Sequence, residues 1–328
     1  MHRRTFVAGA AAVFGFGPGF AQIALAQEAY PSRAITIINA FPPGGINDIV
    51  TRPLASTMEP LLKQPVVVET RAGASGEVGA QAAASAKPDG YTLLSHNASI
   101  SGYAEVDRLF GRPVKTSRSD FIALARIIAD PVLLLVNDAQ PFRNLQEFIV
   151  AAKRPDSTLA FSSGGLYGAT HLPLAYLEKA TGKLNLRHLP TNGGGPAITS
   201  LLNNNAQVTT QALSATLAHV KSGKLKALAS FAGKRSAFLP DVPTLKELGY
   251  DVEYYLWVGI FAPKETPPVI VKTLRATIGT AVRSQAFLNV LKNAGQEFAY
   301  LDGPDFQKFW DIDGRRTDQA VSLIGRQG

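Results

Sequence analysis

The run Ala34-Ile35-Thr36-Ile37-Ile38-Asn39-Ala40 passes directly into Phe41-Pro42-Pro43-Gly44-Gly45-Ile46-Asn47-Asp48. The β-branched stretch reads as a strand, the Pro-Pro-Gly-Gly stretch as a turn, and the Asn-Asp pair as the opening of an amphipathic helix over 48–62. Glycine lets a backbone come close to a ligand because no Cβ stands in the way. A helix start leaves free N–H groups and a partial positive charge. Strand, glycine turn and helix N-terminus together make an anion site that needs no Lys or Arg. A plain strand-to-helix connection has the same sequence, so the recurrence of such turns has to decide.

Three further junctions repeat this chemistry. They are Ser95-His96-Asn97-Ala98-Ser99, then Ser162-Ser163-Gly164-Gly165-Leu166-Tyr167-Gly168-Ala169-Thr170-His171, then Thr191-Asn192-Gly193-Gly194-Gly195-Pro196-Ala197. Apolar runs of strand and helix character alternate along the chain, which predicts an α/β fold. In an open parallel sheet such loops lie outside the carboxyl ends of the strands, where ligands bind. These loops offer hydroxyls, amides and bare backbone but no cation, so neutral dipoles would hold any anion. Pro53 falls inside the first helix and predicts a bend or a missing hydrogen bond there. Asp48 suits both an N-cap and a ligand contact. Ser162 and Ser163 suit turn formation as well as binding. His171 reads as a structural histidine or a proton carrier, and Tyr167 as a pocket wall or an exposed cap.

The N-terminus reads as an export signal. His2-Arg3-Arg4 is basic, residues 6–25 are small and apolar, and Ala24-Leu25-Ala26 fits a cleavage site after Ala26. Arg3-Arg4-Thr5-Phe6-Val7 also resembles a twin-arginine signal. Residues 1–26 are therefore assigned to a signal peptide and the protein to the periplasm. The chain has no cysteine, which removes disulfides, thiolate metal sites and cysteine nucleophiles. Its formal net charge of +8 is dispersed, with no basic run carrying interleaved aromatics, so nucleic-acid binding is not expected. Tyr254, Tyr255 and Trp257 read as hinge-region core, or as partner-facing or cleft surface.

Enzyme signatures are missing. There is no Gly-x-Ser-x-Gly elbow, no Walker loop and no Gly-x-Gly-x-x-Gly fingerprint. The five histidines show no metal-ligand spacing. No metal and no cofactor are expected. A hydrolase built on Ser162 or Ser163 with His171 remains as a minor alternative.

Eight short motifs in order carry a resemblance. They are Phe41-Pro42-Pro43-Gly44-Gly45 with Asp48, Glu69-x-Arg71-x-Gly73, Lys87-Pro88-Asp89-Gly90-Tyr91-Thr92-Leu93-Leu94, Ser163-Gly164 through His171-Leu172, Gly194-Gly195-Pro196-Ala197, Ser222-Gly223-Lys224-Leu225, Lys234-Arg235-Ser236, and Leu239-Pro240-Asp241-Val242-Pro243-Thr244. Together the chain resembles the receptors of tripartite tricarboxylate transporters, also called Bug-type receptors.

The resemblance implies a two-lobed clamshell of the periplasmic binding proteins. One lobe would comprise residues 27–129 plus 251–328 and the other 130–250, with crossings near 129–131 and 250–257. It implies a monomer that closes by hinge motion on a small carboxylate and delivers it to integral membrane permease subunits. A sensor for a membrane kinase would use the same closed shape. The ligand would meet Phe41, Gly44, Gly45, Ile46, Asn47, Asp48, His96, Asn97, Ser162, Ser163, Gly164, Tyr167, Ala169, Thr170, His171, Thr191, Asn192, Gly193, Gly194 and Gln211. Backbone N–H groups of 45–48 and 164–169 would hold one carboxylate, while His96, Asn97, Thr191, Asn192 and Gln211 select the rest. The family's Gly-Gly-Ser/Thr-Thr-Asp reads Gly45-Ile46-Asn47-Asp48 here, and its Tyr-Lys-Gly reads Thr191-Asn192-Gly193. The third loop is one residue longer, with Gly165 extra. Without a pocket cation, a monocarboxylate is expected, an aromatic one packing on Tyr167.

Overall fold

The computed structural model describes residues 30–296 and 298–327. The signal-peptide assignment lies outside the described residues. The chain begins with β1 (Ile35–Asn39), α1 (Ile46–Leu62), β2 (Val66–Thr70), α2 (Glu77–Ala84), β3 (Thr92–Asn97), α3 (Tyr103–Leu109) and β4 (Phe121–Asn137). It continues through α4 (Leu145–Lys153), β5 (Ala160–Ser163), α5 (Leu172–Thr181), β6 (Arg187–Pro190), α6 (Gly194–Leu202), β7 (Val208–Ala212), α7 (Leu213–Lys221) and β8 (Leu225–Ser230). It returns with β9 (Tyr255–Pro263), α8 (Pro268–Ala281), α9 (Gln285–Asn293), β10 (Phe298–Asp302) and α10 (Gly303–Ile324).

Strand and helix alternate, so the sheet has parallel crossovers: β1 lies parallel to β2 and β3, and β5 lies parallel to β6 and β7. Antiparallel β9 joins β3 to β4, giving the order β2-β1-β3-β9-β4-β7-β5-β6. The long strand β4 belongs to both halves of this path. Its Phe121–Pro131 stretch pairs with β9, while Val132–Asn137 pairs with β7 and β8. The apolar run at 132–136 is thus the end of a 17-residue strand. Asp130-Pro131 masks this in sequence, because proline normally interrupts a ladder.

Helix α1 shows how local pattern becomes packing. Ile46, Val50, Leu54, Met58 and Leu62 recur every four residues and are all buried. The helix starts two residues earlier than expected, with Gly45 as its N-cap, and runs through Pro53 and Pro60. Pro53 has no N–H to give, and burial of the apolar stripe carries the helix through it. Residues 244–248 form turns, tied by the Ser230–Thr244 bridge. Both α3 and β10 are elements that the apolar pattern does not announce.

The return segment seals the first half. Trp257, Phe261, Phe306 and Trp310 are fully buried, and the Phe261 and Trp310 ring centroids lie 4.7 Å apart. Trp257 is buried core, Tyr254 is nearly buried, and Tyr255 is only half-buried. Tyr176 of α5 donates to Arg316 O of α10 at 2.9 Å, tying the second half to the C-terminal helix.

Candidate ligand-binding cleft

The four junctions converge where the two halves of the sheet face each other. Phe41, Gly45, Ile46 and Asn47 come from the start of α1, and Asn97 and Ser99 from the turn after β3. Gly164, Ala169 and Thr170 come from the loop after β5, Gly194 from α6, Gln211 from β7, and Ala212, Ala215 and Leu256 complete the wall. The cavity they enclose is about 20 Å³, roughly the room one water needs. This is a closed cleft.

Backbone contact explains the closure. A Cβ on Gly45 would lie only 3.7 Å from the Gly195 nitrogen and 3.8 Å from the Gly194 nitrogen. Gly165, the extra residue of the third loop, has φ +137°, and a Cβ there would meet Ser75 Oγ at 2.1 Å. Side chains cross as well. Ser99 Oγ accepts the Ala169 N–H at 2.8 Å, and Ser75 Oγ donates to Leu166 O at 3.0 Å.

The wall carries no charge, since no Lys, Arg, Asp or Glu lines it. The N–H groups of Ile46 and Asn47, in the first turn of α1, meet no acceptor among the described residues. Ser99 N–H donates to Asn97 Oδ1 at 3.0 Å, so Asn97 turns Nδ2 toward Asn47 Oδ1, also at 3.0 Å. Asn47 is left with a buried Nδ2 that has no acceptor. Two free backbone donors, an aligned helix dipole and an unpaired amide donor suit a carboxylate oxygen.

Other candidates stand elsewhere. Asp48 is neither N-cap nor cavity wall; its Oδ1 accepts Arg52 Nε at 2.7 Å. Gly44 borders a separate surface groove with Gly195. His96 is fully buried behind Phe41, ring centroids 5.0 Å apart, with Nε2 2.8 Å from Tyr103 Oη. Burial lowers its pKa to about 4, which keeps it neutral. Thr191 holds its own turn by donating to Ser163 O, Gly193 packs on Pro42, and Asn192 is exposed.

The Tyr167 expectation is corrected. Its Oη donates to Gly325 O at 2.8 Å and accepts Gln327 N–H at 3.0 Å, and its ring stands edge-on to Phe110. The ring anchors the C-terminal segment and does not line the cavity. The hydrolase geometry is absent too. Ser162 Oγ donates to Ala197 O, and Ser163 Oγ meets His188 Nε2 at 2.7 Å rather than His171. His171 Nδ1 accepts the Tyr167 N–H, and its ring stacks on His188 at 4.1 Å. Burial, then the charge of His188, lowers the His171 pKa to about 3. Most N–H groups of the third loop are satisfied internally: Gly164 by Thr170 Oγ1, Gly165 by Ser163 Oγ, and Gly168 by Gly165 O. The expected array of free donors over 164–169 therefore shrinks. Ser99 was overlooked as a site residue, although its place two residues after Asn97 fits an Asn-capped turn.

The model of the tripartite tricarboxylate transporter family receptor matches residues 50–325. The chain belongs to this receptor family. BugT of Bordetella pertussis is 34% identical over 273 residues, 83% of each chain. The solved periplasmic binding protein BugD is 29% identical, with a TM-score of 0.83 over 91% of this chain and 100% of its own. A Rhodopseudomonas palustris protein solved with adipate is 26% identical, with a TM-score of 0.83 over 90% of this chain and 98% of its own. The fold is that of the periplasmic binding proteins, and the family is one of solute receptors rather than enzymes. Among the described residues no helix is long and apolar enough to cross a membrane.

Proposed function

We propose that this receptor captures a small carboxylate in the cleft and hands it to the integral membrane subunits of a tripartite tricarboxylate-type transporter. The observation that carries the reading is a neutral cavity whose unpaired polar groups at α1 are donors: Ile46 N–H, Asn47 N–H and Asn47 Nδ2. In a closed, low-dielectric cleft such donors bind an anion without a cation beside it. The adipate bound to the R. palustris relative belongs to the same ligand class.

The mechanism is a hinge. Lobes 27–129 plus 251–328 and 130–250 separate to admit ligand, bending at β4 near Pro131 and at the start of β9. A ligand shifts the open–closed balance only by its preference for the closed form. The cross-cleft bonds from Ser99 and Ser75 belong to the closed form and dissolve on opening. The signal peptide directs export to the periplasm and is then cleaved after Ala26.

Thermal-shift screening of the mature chain against small carboxylates, sugars, amides and amino acids tests this. A ligand at about a hundred times its Kd adds about 2.7 kcal/mol and raises Tm by degrees. Shifts confined to molecules bearing a carboxylate are the expected result. Shifts with sugars or amides and none with carboxylates would overturn it.

A further inference from the structure

We infer that Gln211 makes this cleft selective for carboxylates carrying a hydrogen-bond donor, that is, small hydroxy- or amino-acids, over the same carboxylates without that group. The inference rests on the proposed function and specifies its ligand class.

The argument is one of proton bookkeeping in two relays. On the α1 side, Ser99 N–H fixes Asn97, and Asn97 fixes Asn47, so a donor faces the cavity. On the opposite side the relay ends with the reverse polarity. Thr209 Oγ1 has one proton and gives it to Ser162 O at 2.6 Å. Toward Gln211 it can only accept, and Gln211 Nε2 stands 3.3 Å away as the donor. The flipped amide would set Oε1 against an oxygen with no proton to offer. Gln211, only 2% exposed, therefore turns Oε1 the other way, toward Gly194 on the cavity wall, where a Cβ on Gly194 would lie 2.9 Å from it.

The cleft thus has a donor pole at Asn47 and an acceptor pole at Gln211. Asn47, Asn97 and Ser99 all lie before β4, and Ser162, Thr209 and Gln211 all lie between β4 and β9. Each relay stays within one side, so opening the cleft to admit ligand leaves both polarities unchanged. A bound carboxylate satisfies the donor pole. A simple alkyl acid leaves Oε1 dehydrated and unpaired, and a dicarboxylate sets a second anion against it. A ligand hydroxyl or ammonium pairs with it. A buried acceptor left unmatched lowers affinity by about ten-fold or more.

The test is calorimetry with matched probes: malate against succinate, lactate against propionate, and aspartate against succinate, both enantiomers of each chiral acid, on wild type and Gln211→Met. The expected result is at least about ten-fold tighter binding of one donor-bearing acid than of its partner, with the ratio falling close to one in Gln211→Met. Pairs that bind within about three-fold of each other in wild type, or a ratio that persists in Gln211→Met, would overturn the inference and leave carboxylate binding standing. Should the variant fail to fold, the wild-type ratio decides alone. Binding of sugars or amides with no carboxylate bound at all would remove the proposed function and this inference with it.

Discussion

The Ser99 hydroxyl accepts the Ala169 N–H at 2.8 Å, joining the turn after β3 to the loop after β5 across the cleft. The two residues are seventy positions apart. Under the proposed hinge their bond would be lost on opening, so it is a place to alter the free energy of closure without touching the core.

Ser99→Ala should weaken ligand binding about five-fold, the effect of one neutral hydrogen bond of about 1 kcal/mol lost from the closed form only. The apo melting temperature should move little, because Ser99 N–H still caps onto Asn97 Oδ1. Isothermal titration beside a thermal melt separates the two. Unchanged affinity would mean that closure does not depend on this bond.

Asn47→Asp reverses the polarity of the donor pole while keeping an oxygen for Asn97 Nδ2. A carboxylate ligand would then face a carboxylate, and binding at pH 7 should fall about a hundred-fold or more, the loss of a charge-assisted bond plus repulsion. Helix α1 should tolerate the change, since an acidic residue in its first turn complements the dipole. Retained affinity would place the ligand's anionic group elsewhere.

Tyr167→Phe should lower stability by about 1 kcal/mol, because Oη bridges Gly325 O and Gln327 N–H. Ligand affinity should not change, for the ring lies outside the cavity. A melt and a titration on the same sample check both halves, and a large loss of affinity would restore Tyr167 as a pocket wall.

Acid should destabilise the fold. Burial lowers the pKa of His96 to about 4, of His171 to about 3 and of His188 to about 4, from 6.5. Below pH 6.5 the unfolded chain therefore binds more protons, and stability falls with pH until the folded values are reached. Asp313 runs the other way: burial raises it from 3.8 to about 6, so the folded chain holds that proton and is favoured as pH drops to 3.8. Burial also raises Glu77, Glu178 and Asp318, but from ordinary values below pH 5, whereas the three imidazoles of the unfolded chain take up protons across the whole window, so Tm should be lower at pH 5 than at pH 7. The slope should be shallower in His171→Gln; an identical slope would remove His171 as a contributor.

The strand and helix periods were legible because they are local. Ile35–Asn39 and the four-residue stripe of α1 need only nearest neighbours to be read, and the glycine turns after β1, β5 and β6 announce themselves by composition. The long strand β4 was half hidden, because Pro131 sits where the strand passes from pairing with β9 to pairing with β7 and β8, and tertiary pairing overrides the local penalty. Asp48 serves as neither cap nor cavity wall, since Gly45 caps the helix and the start two residues earlier puts Asp48 inside the first turn.

The sequence by itself determined the α/β class, the family and the neutrality of the binding loops, because these depend on residue type, spacing and order. Only the tertiary structure decided which side chains face the ligand. It turned Tyr167 toward the C-terminus and His96 behind Phe41, brought Ser99 to Ala169, and set Asn47 and Gln211 as opposite poles. The reason is physical: a side chain's direction and an amide's flip follow from hydrogen-bond partners supplied by distant strands, and those partners meet only once the sheet order is in place.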